Sequence, residues 1–126
     1  MSVVGVGTDI VDISRIENMR EPALSKLARR VLTDAELAHY QTIKYAYRFL
    51  AKRWAAKEAA SKALGTGIAA GVSFQHFEIQ SLPSGQPKLH LSGKALELVS
   101  ELGANSWHIS ISDESNFATA FVVLSN

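Results

Sequence analysis

Two charged residues in the segment RFLAKRWAAKEAASKALGTGI (residues 48–68) have the types and spacing that chemistry at a phosphate could use. Glu58 and Lys62 lie four positions apart and continue a row that begins with Leu50 and Trp54. On a helix, this spacing places all four on one slowly drifting line. Because the row passes from apolar to charged residues, Glu58 and Lys62 are predicted to lie where the core meets solvent. The alternative is a purely structural Glu–Lys pair worth only about 0.3–0.5 kcal/mol, which the helix taken alone favours.

A third candidate, Asp9, ends a short alternating segment near the N-terminus. Residues 3–9 alternate in the manner of a strand, with Gly5, Gly7 and Asp9 sharing one face. Two glycines leave that face bare, so another backbone or a ligand could approach it closely. The strand therefore presents the Asp9 carboxylate at the end of an open face.

Asp9 and Glu58 together would suit a hard cation if the fold brings them to one place. The sequence has no cysteine and four histidines, and two carboxylates are a typical protein contribution to a Mg²⁺ site that also uses water and substrate phosphate. Lys62, one turn from Glu58, could neutralise a phosphate or a departing oxyanion. The constellation predicts Mg²⁺-assisted transfer at a phosphate centre.

Length and composition set broad limits on the protein. The 126 residues suit one domain spanning 1–126, and the absence of cysteine excludes disulfides and thiolate metal sites. No apolar run approaches the roughly 20 residues of a membrane span, and Asp9 and Asp12 interrupt any signal-peptide pattern. Between Arg15 and Lys62, eleven basic and five acidic residues make a basic half, which favours a polyanionic ligand or an acidic partner.

The periodicity predicts helices in the first half and hairpins in the second. The predicted helices begin at a capping box Ser14–Glu17, run over 24–32 after Pro22, begin at a second capping box Thr33–Glu36, and run from about Ala46 to Leu64 before Gly65. Later segments predict a hairpin around the 83–87 turn, a helix after Ser92, and strands over 107–112 and 117–124. The last strand is apolar on both faces, which indicates cover by helices or by another subunit. The sequence therefore predicts one α+β domain.

Two sequence motifs, one near the N-terminus and one in the predicted central helix, indicate a resemblance to a known protein family. GVGTDIVDISRIE contains a glycine-x-aspartate motif, and residues 54–62, WAAKEAASK, contain a tryptophan-x-x-lysine-glutamate-alanine-x-x-lysine motif. Together they resemble the two signatures of the 4′-phosphopantetheinyl transferases, most closely the short bacterial branch, the holo-[acyl-carrier-protein] synthases. The resemblance extends through SFQHFEIQ, the GQP turn and the closing WHISISDE and FATAFVVL segments. It implies a long central helix packed on a small antiparallel sheet.

The resemblance also implies roles for individual residues. Asp9 and Glu58 match the family's magnesium ligands, and Lys62 matches the lysine that contacts the diphosphate of coenzyme A. Arg53, Gly85 and Pro87 fall where the family contacts the nucleotide end of that substrate, and Arg15 matches a basic residue that meets the acidic helix of acyl carrier protein. The branch is cytoplasmic and forms homotrimers with active sites at subunit interfaces, so Asp9 and Glu58 could come from neighbouring chains.

The implied reaction moves 4′-phosphopantetheine from coenzyme A to a serine of apo-acyl carrier protein, as fatty acid biosynthesis requires, and releases adenosine 3′,5′-bisphosphate. Glu58 or a water on the ion would take the serine proton. One departure concerns Asp113, which stands where some members carry a histidine near the active site, so a mechanism needing a histidine base there is in doubt.

Other interpretations remain open from the residues alone. Lys57 is expected to be a solvated or packing residue despite lying in the signature, and the histidines (His39, His76, His90 and His108) show no metal-site spacing. A nucleotide- or RNA-binding module could use the basic half, although no aromatic stacking run or RNA-binding fingerprint is present. A structural oligomer with incidental carboxylates is the third class.

Overall fold

The computed structural model describes residues 2–126. Five strands and five α-helices follow in the order β1 (Val3–Asp12), α1 (Ile13–Glu17), α2 (Ala23–Val31), α3 (Asp34–Tyr40), α4 (Ala46–Ala63), β2 (Phe77–Ser81), β3 (Pro87–Leu91), α5 (Gly93–Glu101), β4 (Ser106–Asp113) and β5 (Phe117–Ser125). A short 3₁₀ turn, Phe74–His76, precedes β2. The predicted α+β class, the helical first half and the long central helix are confirmed.

The strands form two antiparallel units. In the larger sheet β5 lies in the centre, with β1 on one side and β4 on the other, while β2 and β3 form a separate hairpin. The inward side chains of β5 are buried, whereas Phe117 and Phe121 on its outer side are 46% and 45% exposed. The predicted cover by helices is confirmed for the inner face of β5, whereas the outer face is open to solvent in the single chain and its cover by another subunit stays a prediction.

The backbone of α4 packs against the face of β1 that carries Gly5 and Gly7. A Cβ atom on Gly5 would collide with the carbonyl oxygen of Ala63, and one on Gly7 with that of Ala59. The close approach predicted from the two glycines is therefore an approach of helix backbone to strand backbone. It places residues 59–63 of α4 directly over β1, next to Asp9.

Helix α4 is surrounded by other parts of the domain and contacts them mainly through small side chains. Six of its alanines are almost fully buried (Ala51, Ala55, Ala56, Ala59, Ala60 and Ala63). Leu50 is also fully buried, whereas Trp54 and Glu58 are partly exposed and the Lys62 side chain is 51% exposed. The predicted passage from core to solvent along this row is confirmed. None of the helices within residues 2–126 combines the length and the apolar character needed to cross a bilayer.

One of the two predicted capping boxes is wrong. The N-cap of α1 is Asp12, whose Oδ1 accepts hydrogen bonds from the Ser14 backbone N–H at 3.0 Å and the Ser14 hydroxyl at 2.6 Å. The strand continues past Asp9 to Asp12, so the helix begins at Ile13, earlier than the Ser14 pattern suggests. The second box, between Thr33 and Glu36, is present as predicted.

Substitution of Gly7 by alanine tests the backbone contact between β1 and α4. We expect Gly7→Ala to lower the free energy of unfolding by about 1–3 kcal/mol, because the added methyl group meets a backbone carbonyl that cannot rotate away. Urea denaturation measures the change. Lys88→Thr, at an exposed strand position, is the control and should change it by no more than about 0.5 kcal/mol. Equal stability of Gly7→Ala and the original protein would contradict this packing.

Candidate active site

Asp9 and Lys62 meet at the crossing of β1 and α4. Lys62 Nζ lies 2.8 Å from Asp9 Oδ1 and donates a second hydrogen bond to the Thr8 carbonyl oxygen at 3.1 Å. The Asp9 side chain is only 17% exposed, whereas that of Lys62 is 51% exposed. Lys62 therefore neutralises Asp9 from the solvent side and has room to turn toward an anion bound nearby.

Glu58 joins this pair from the preceding turn of α4. Partial burial raises the pKa of the Glu58 carboxyl above its ordinary value of 4.5, and the negative charge of Asp9 raises it further, whereas Lys62 opposes both effects. The buried indole N–H of Trp54 lies close enough to lower the pKa of Glu58, but it completes no hydrogen bond, so this effect is weak. The two carboxylates thus interact electrostatically within one chain.

A cleft on the outer side of the three-stranded sheet leads to these residues. Its volume is about 430 Å³, and its lining includes Asp9 and Lys62 together with four hydroxyl side chains, Thr8, Ser110, Ser112 and Thr119. Ile10 and Phe121 complete the apolar part of the wall. A polar ligand can therefore reach Asp9 and Lys62 from the open face of the sheet.

The donor set matches a hard divalent cation that keeps much of its water shell. Asp9 and Glu58 supply carboxylate oxygens, the ligands that Mg²⁺ prefers, and the mutual repulsion that raises the Glu58 pKa would be relieved by a cation between them. Within residues 2–126 no cluster of three or more acidic, histidine or cysteine side chains is poised to hold a metal. A cation here would take its other ligands from water and substrate.

Of the three residues predicted for the nucleotide end, Arg53 contacts the β2–β3 hairpin that carries Gly85 and Pro87. Arg53 is 8% exposed and faces a second cleft beside the β2–β3 hairpin, and its Nη2 donates to the Ser81 hydroxyl at 3.5 Å. Ser81 pairs across the hairpin with Pro87, two residues after Gly85 at the turn. Arg53 and Lys62 are nine residues apart, so they project from roughly opposite sides of α4.

Arg15 lies on the surface, as a partner-binding residue requires. It is exposed on α1, whose buried side chains are Ile13 and Ile16. It forms no ion pair with any residue between positions 2 and 126. Its guanidinium is therefore available to an acidic surface.

Asp113, the position where some relatives carry histidine, is held in an ion pair with α4. Its Oδ2 lies 2.8 Å from Arg48 Nη1, and Lys52 Nζ lies 3.9 Å from Oδ1. Arg48 also donates to the backbone carbonyls of Glu114 and Ser115, at 3.1 and 3.0 Å. Asp113 thus fastens the β4–β5 turn to the start of α4, a role that the sequence pattern did not predict.

Lys57 is not a solvated residue. Its side chain is completely buried, with Nζ 2.5 Å from Glu36 Oε1 and 2.6 Å from the Val31 carbonyl oxygen. Burial lowers the pKa of Lys57 and the Glu36 charge opposes this. No pattern in the sequence indicates this pair, because the capping box with Thr33 already accounts for Glu36.

Known proteins of one family are similar to this chain along its length. The sequence profile of the 4′-phosphopantetheinyl transferase superfamily matches residues 5–122. The holo-[acyl-carrier-protein] synthase of Shewanella frigidimarina is 53% identical over 124 residues, 98% of each chain. The crystal structure of holo-[acyl-carrier-protein] synthase from Neisseria meningitidis has a TM-score of 0.89 at 38% identity and covers 99% of this chain and 100% of its own. That from Bacillus anthracis, in complex with CoA (3′,5′-ADP), has a TM-score of 0.81 at 38% identity, covering 98% of each chain.

The raised pKa of Glu58 gives a prediction about stability. At neutral pH the ionised carboxylate is disfavoured in the folded state, so Glu58→Gln should increase the free energy of unfolding of the metal-free protein. The penalty is complete above the raised pKa and disappears below 4.5, where Glu58 is protonated in both the folded and unfolded states. Urea denaturation at several pH values measures the difference.

The exposed residue Glu97 provides the matched control, since Glu97→Gln should leave stability nearly unchanged at every pH. A Glu58→Gln protein that is less stable than the original at neutral pH, or a gain that grows as the pH falls, would contradict the electrostatic description of the site.

Proposed function

The chain belongs to the 4′-phosphopantetheinyl transferase superfamily, and we propose that it transfers 4′-phosphopantetheine from coenzyme A to a serine of apo-acyl carrier protein. The observation that carries this proposal is the ion pair of Asp9 and Lys62 in one cleft, with Glu58 on the preceding turn of α4 and close enough for the Asp9 charge to raise its pKa. The products are holo-acyl carrier protein and adenosine 3′,5′-bisphosphate. Coenzyme A is an intracellular metabolite, so we place the reaction in the cytoplasm, in the supply of carrier for fatty acid biosynthesis.

In this proposal Asp9 and Glu58 would hold Mg²⁺, because carboxylate oxygens are the protein ligands that this ion prefers. When bound, the ion supplies charge neutralisation at the diphosphate. Lys62 neutralises Asp9 before substrate binds and is exposed enough to move to a phosphate oxygen. There it would stabilise the negative charge that develops as the leaving phosphate departs.

Glu58 is the proposed general base. The serine oxygen forms a bond to the phosphorus of the phosphopantetheine, the diphosphate bridging bond breaks toward adenosine 3′,5′-bisphosphate, and the serine proton passes to Glu58. In the metal-free protein partial burial and Asp9 raise the pKa of Glu58, and a bound cation would offset the effect of Asp9, so the basicity of Glu58 depends on the metal.

Binding of the substrates involves two further regions in this proposal. Arg53 with the turn at Gly85 and Pro87 contacts the nucleotide end of coenzyme A in this proposal, since its guanidinium lines the cleft beside the β2–β3 hairpin and donates to Ser81 of that hairpin. Arg15, exposed on α1, contacts the acidic carrier protein.

We further propose that the protein is a homotrimer whose active sites lie at the subunit interfaces. The outer face of the sheet exposes large apolar side chains: Val6 (55%), Ile10 (62%), Phe117 (46%) and Phe121 (45%). Ile10 and Phe121 also line the cleft that reaches Asp9. A second copy packed on this face would bury apolar surface and close one side of that cleft.

A transfer assay tests the proposed function and its site. With coenzyme A labelled in the pantetheine, Mg²⁺ and apo-acyl carrier protein, we expect label on the carrier that a chelator abolishes. Asp9→Asn and Glu58→Gln should each reduce turnover by about 100-fold or more, because each removes a carboxylate that the proposed reaction uses.

The matched control is Glu97→Gln, an exposed glutamate on α5, which should transfer at the original rate. Coenzyme A binding without any transfer would overturn the proposed activity and favour a binding module. Full activity of folded Glu58→Gln would remove Glu58 from the mechanism while leaving the reaction itself standing.

Light scattering tests the trimer. We expect a mass about three times 13.7 kDa, and a smaller mass for Phe121→Asp, because a charge in the middle of an apolar interface is not compensated. Leu96→Asp, at a comparably exposed apolar residue on α5, is the control and should keep the original mass. A single-chain mass at micromolar concentration would contradict the proposed assembly.

A further inference from the structure

Lys57 is a completely buried, charged side chain, and it lies on α4 next to Glu58. Its ammonium donates to the Glu36 carboxylate and to the carbonyl oxygen of Val31, the last residue of α2. A buried charge is retained only where its partners are well placed, since removal of water from an ammonium is costly. The position of Lys57 in the domain is therefore narrowly defined.

The partner Glu36 is itself fixed from three directions. Its Oε1 also accepts the Thr33 backbone N–H at 2.9 Å, and its Oε2 accepts the Ile79 backbone N–H of β2 at 2.9 Å. Arg53, one turn before Lys57, places its Nε 3.8 Å from Oε2. The Lys57–Glu36 pair thus ties α4 to the end of α2 through Lys57, and to the start of α3 and the β2 strand through Glu36.

Apart from the Arg48–Asp113 ion pair at its first turn, α4 has few other directional contacts that restrain its rotation. The buried positions are mostly alanines, whose short side chains form shallow ridges and grooves, and the contact with Gly5 and Gly7 mainly limits how closely the helix approaches β1. Hydrogen bonds are directional, so a buried lysine bound to a fixed carboxylate restrains both rotation and sliding. Polar groups in this role set register in other helical assemblies.

We propose that Lys57, held by Glu36, is the positioning residue that sets the rotation of α4 so that Glu58 and Lys62 face Asp9. Successive residues of a helix are about 100° apart, and residues four apart are about 40° apart. Fixing Lys57 therefore fixes the directions of Glu58 and Lys62. A misplacement of about 1 Å in such a site can reduce the rate by about 100-fold. This inference rests on the proposed transferase function.

The test uses the full chain with Lys57→Met, Glu36→Gln and the double variant, in the transfer assay and in thermal unfolding. Each single variant should unfold at a lower temperature, because one buried charge loses its partner, and the double variant should recover part of that loss. In all three, kcat should fall at least tenfold and half-maximal activity should need at least threefold more Mg²⁺. The KM for the carrier should stay within twofold, since Arg15 is not disturbed.

Gln75→Leu is the matched structural control. The Gln75 side chain donates to the Arg29, Arg30 and Leu32 carbonyls at the same end of α2, and none of its hydrogen bonds within residues 2–126 reaches α4. It should lower the unfolding temperature while leaving kcat and the Mg²⁺ requirement of the folded protein unchanged.

The outcomes separate the two proposals. If the original protein transfers no label, the proposed function fails whatever Lys57 does. If it does transfer, and the double variant regains both stability and kcat, Lys57 is structural only and the positioning role is wrong. The same conclusion follows if Gln75→Leu loses as much kcat and Mg²⁺ response as the Lys57 and Glu36 variants. Should Lys57→Met fail to fold, Glu36→Gln and the double variant decide between these outcomes.

Discussion

The candidate site depends on one steric constraint, the contact between two backbones where α4 crosses β1. Gly5 and Gly7 carry no Cβ, so the carbonyl oxygens of Ala59 and Ala63 occupy the space that larger side chains would take. Asp9 follows Gly7 by two residues and projects from the same side of the strand, which places it beside the last turn of α4. The 2.8 Å contact with Lys62 is a consequence of that approach. Any enlargement of the glycines would move the helix and the aspartate apart.

The charged side chains on the two sides of helix α4 lie in different electrostatic environments. Toward β1 it presents Glu58 and Lys62, and partial burial together with the nearby charge of Asp9 raises the pKa of Glu58. Toward α2, α3 and β2 it presents Lys57, whose charge is compensated by Glu36 and the Val31 carbonyl. The folded state therefore tolerates an electrostatically strained pair of carboxylates on one side while a well-compensated buried pair stabilises the other. This distribution is typical of proteins that hold reactive groups on a rigid element.

Much of this arrangement could be predicted from the sequence because its signals are local. The four-residue spacing of Leu50, Trp54, Glu58 and Lys62 predicted a row that passes from the core to the surface. Gly5 and Gly7 predicted that another backbone or a ligand would approach β1 closely. The pairs Lys57–Glu36 and Arg48–Asp113 could not be predicted, since they join residues 21 and 65 positions apart in the chain. No periodicity reports such a contact, and a lysine amid alanines has the composition of any solvated helix. The start of α1 was predicted wrongly for a different reason. Asp12 and Ser14 are both good N-cap residues, and Asp12 is the N-cap because β1 continues to that residue.

The open face of the sheet explains why a single chain leaves the site half-enclosed. On β1 and β5 the outward side chains include Val6, Ile10 and Phe121, whereas β4 presents His108, Ser110 and Ser112. A surface of this kind is apolar enough to pack against another protein surface along two strands and polar enough to hold a hydrated ligand along the third. Asp9 and Lys62 line the cleft at the edge of that surface, so a phosphate can reach them along it. In the proposed assembly the same side chains would serve both packing and access.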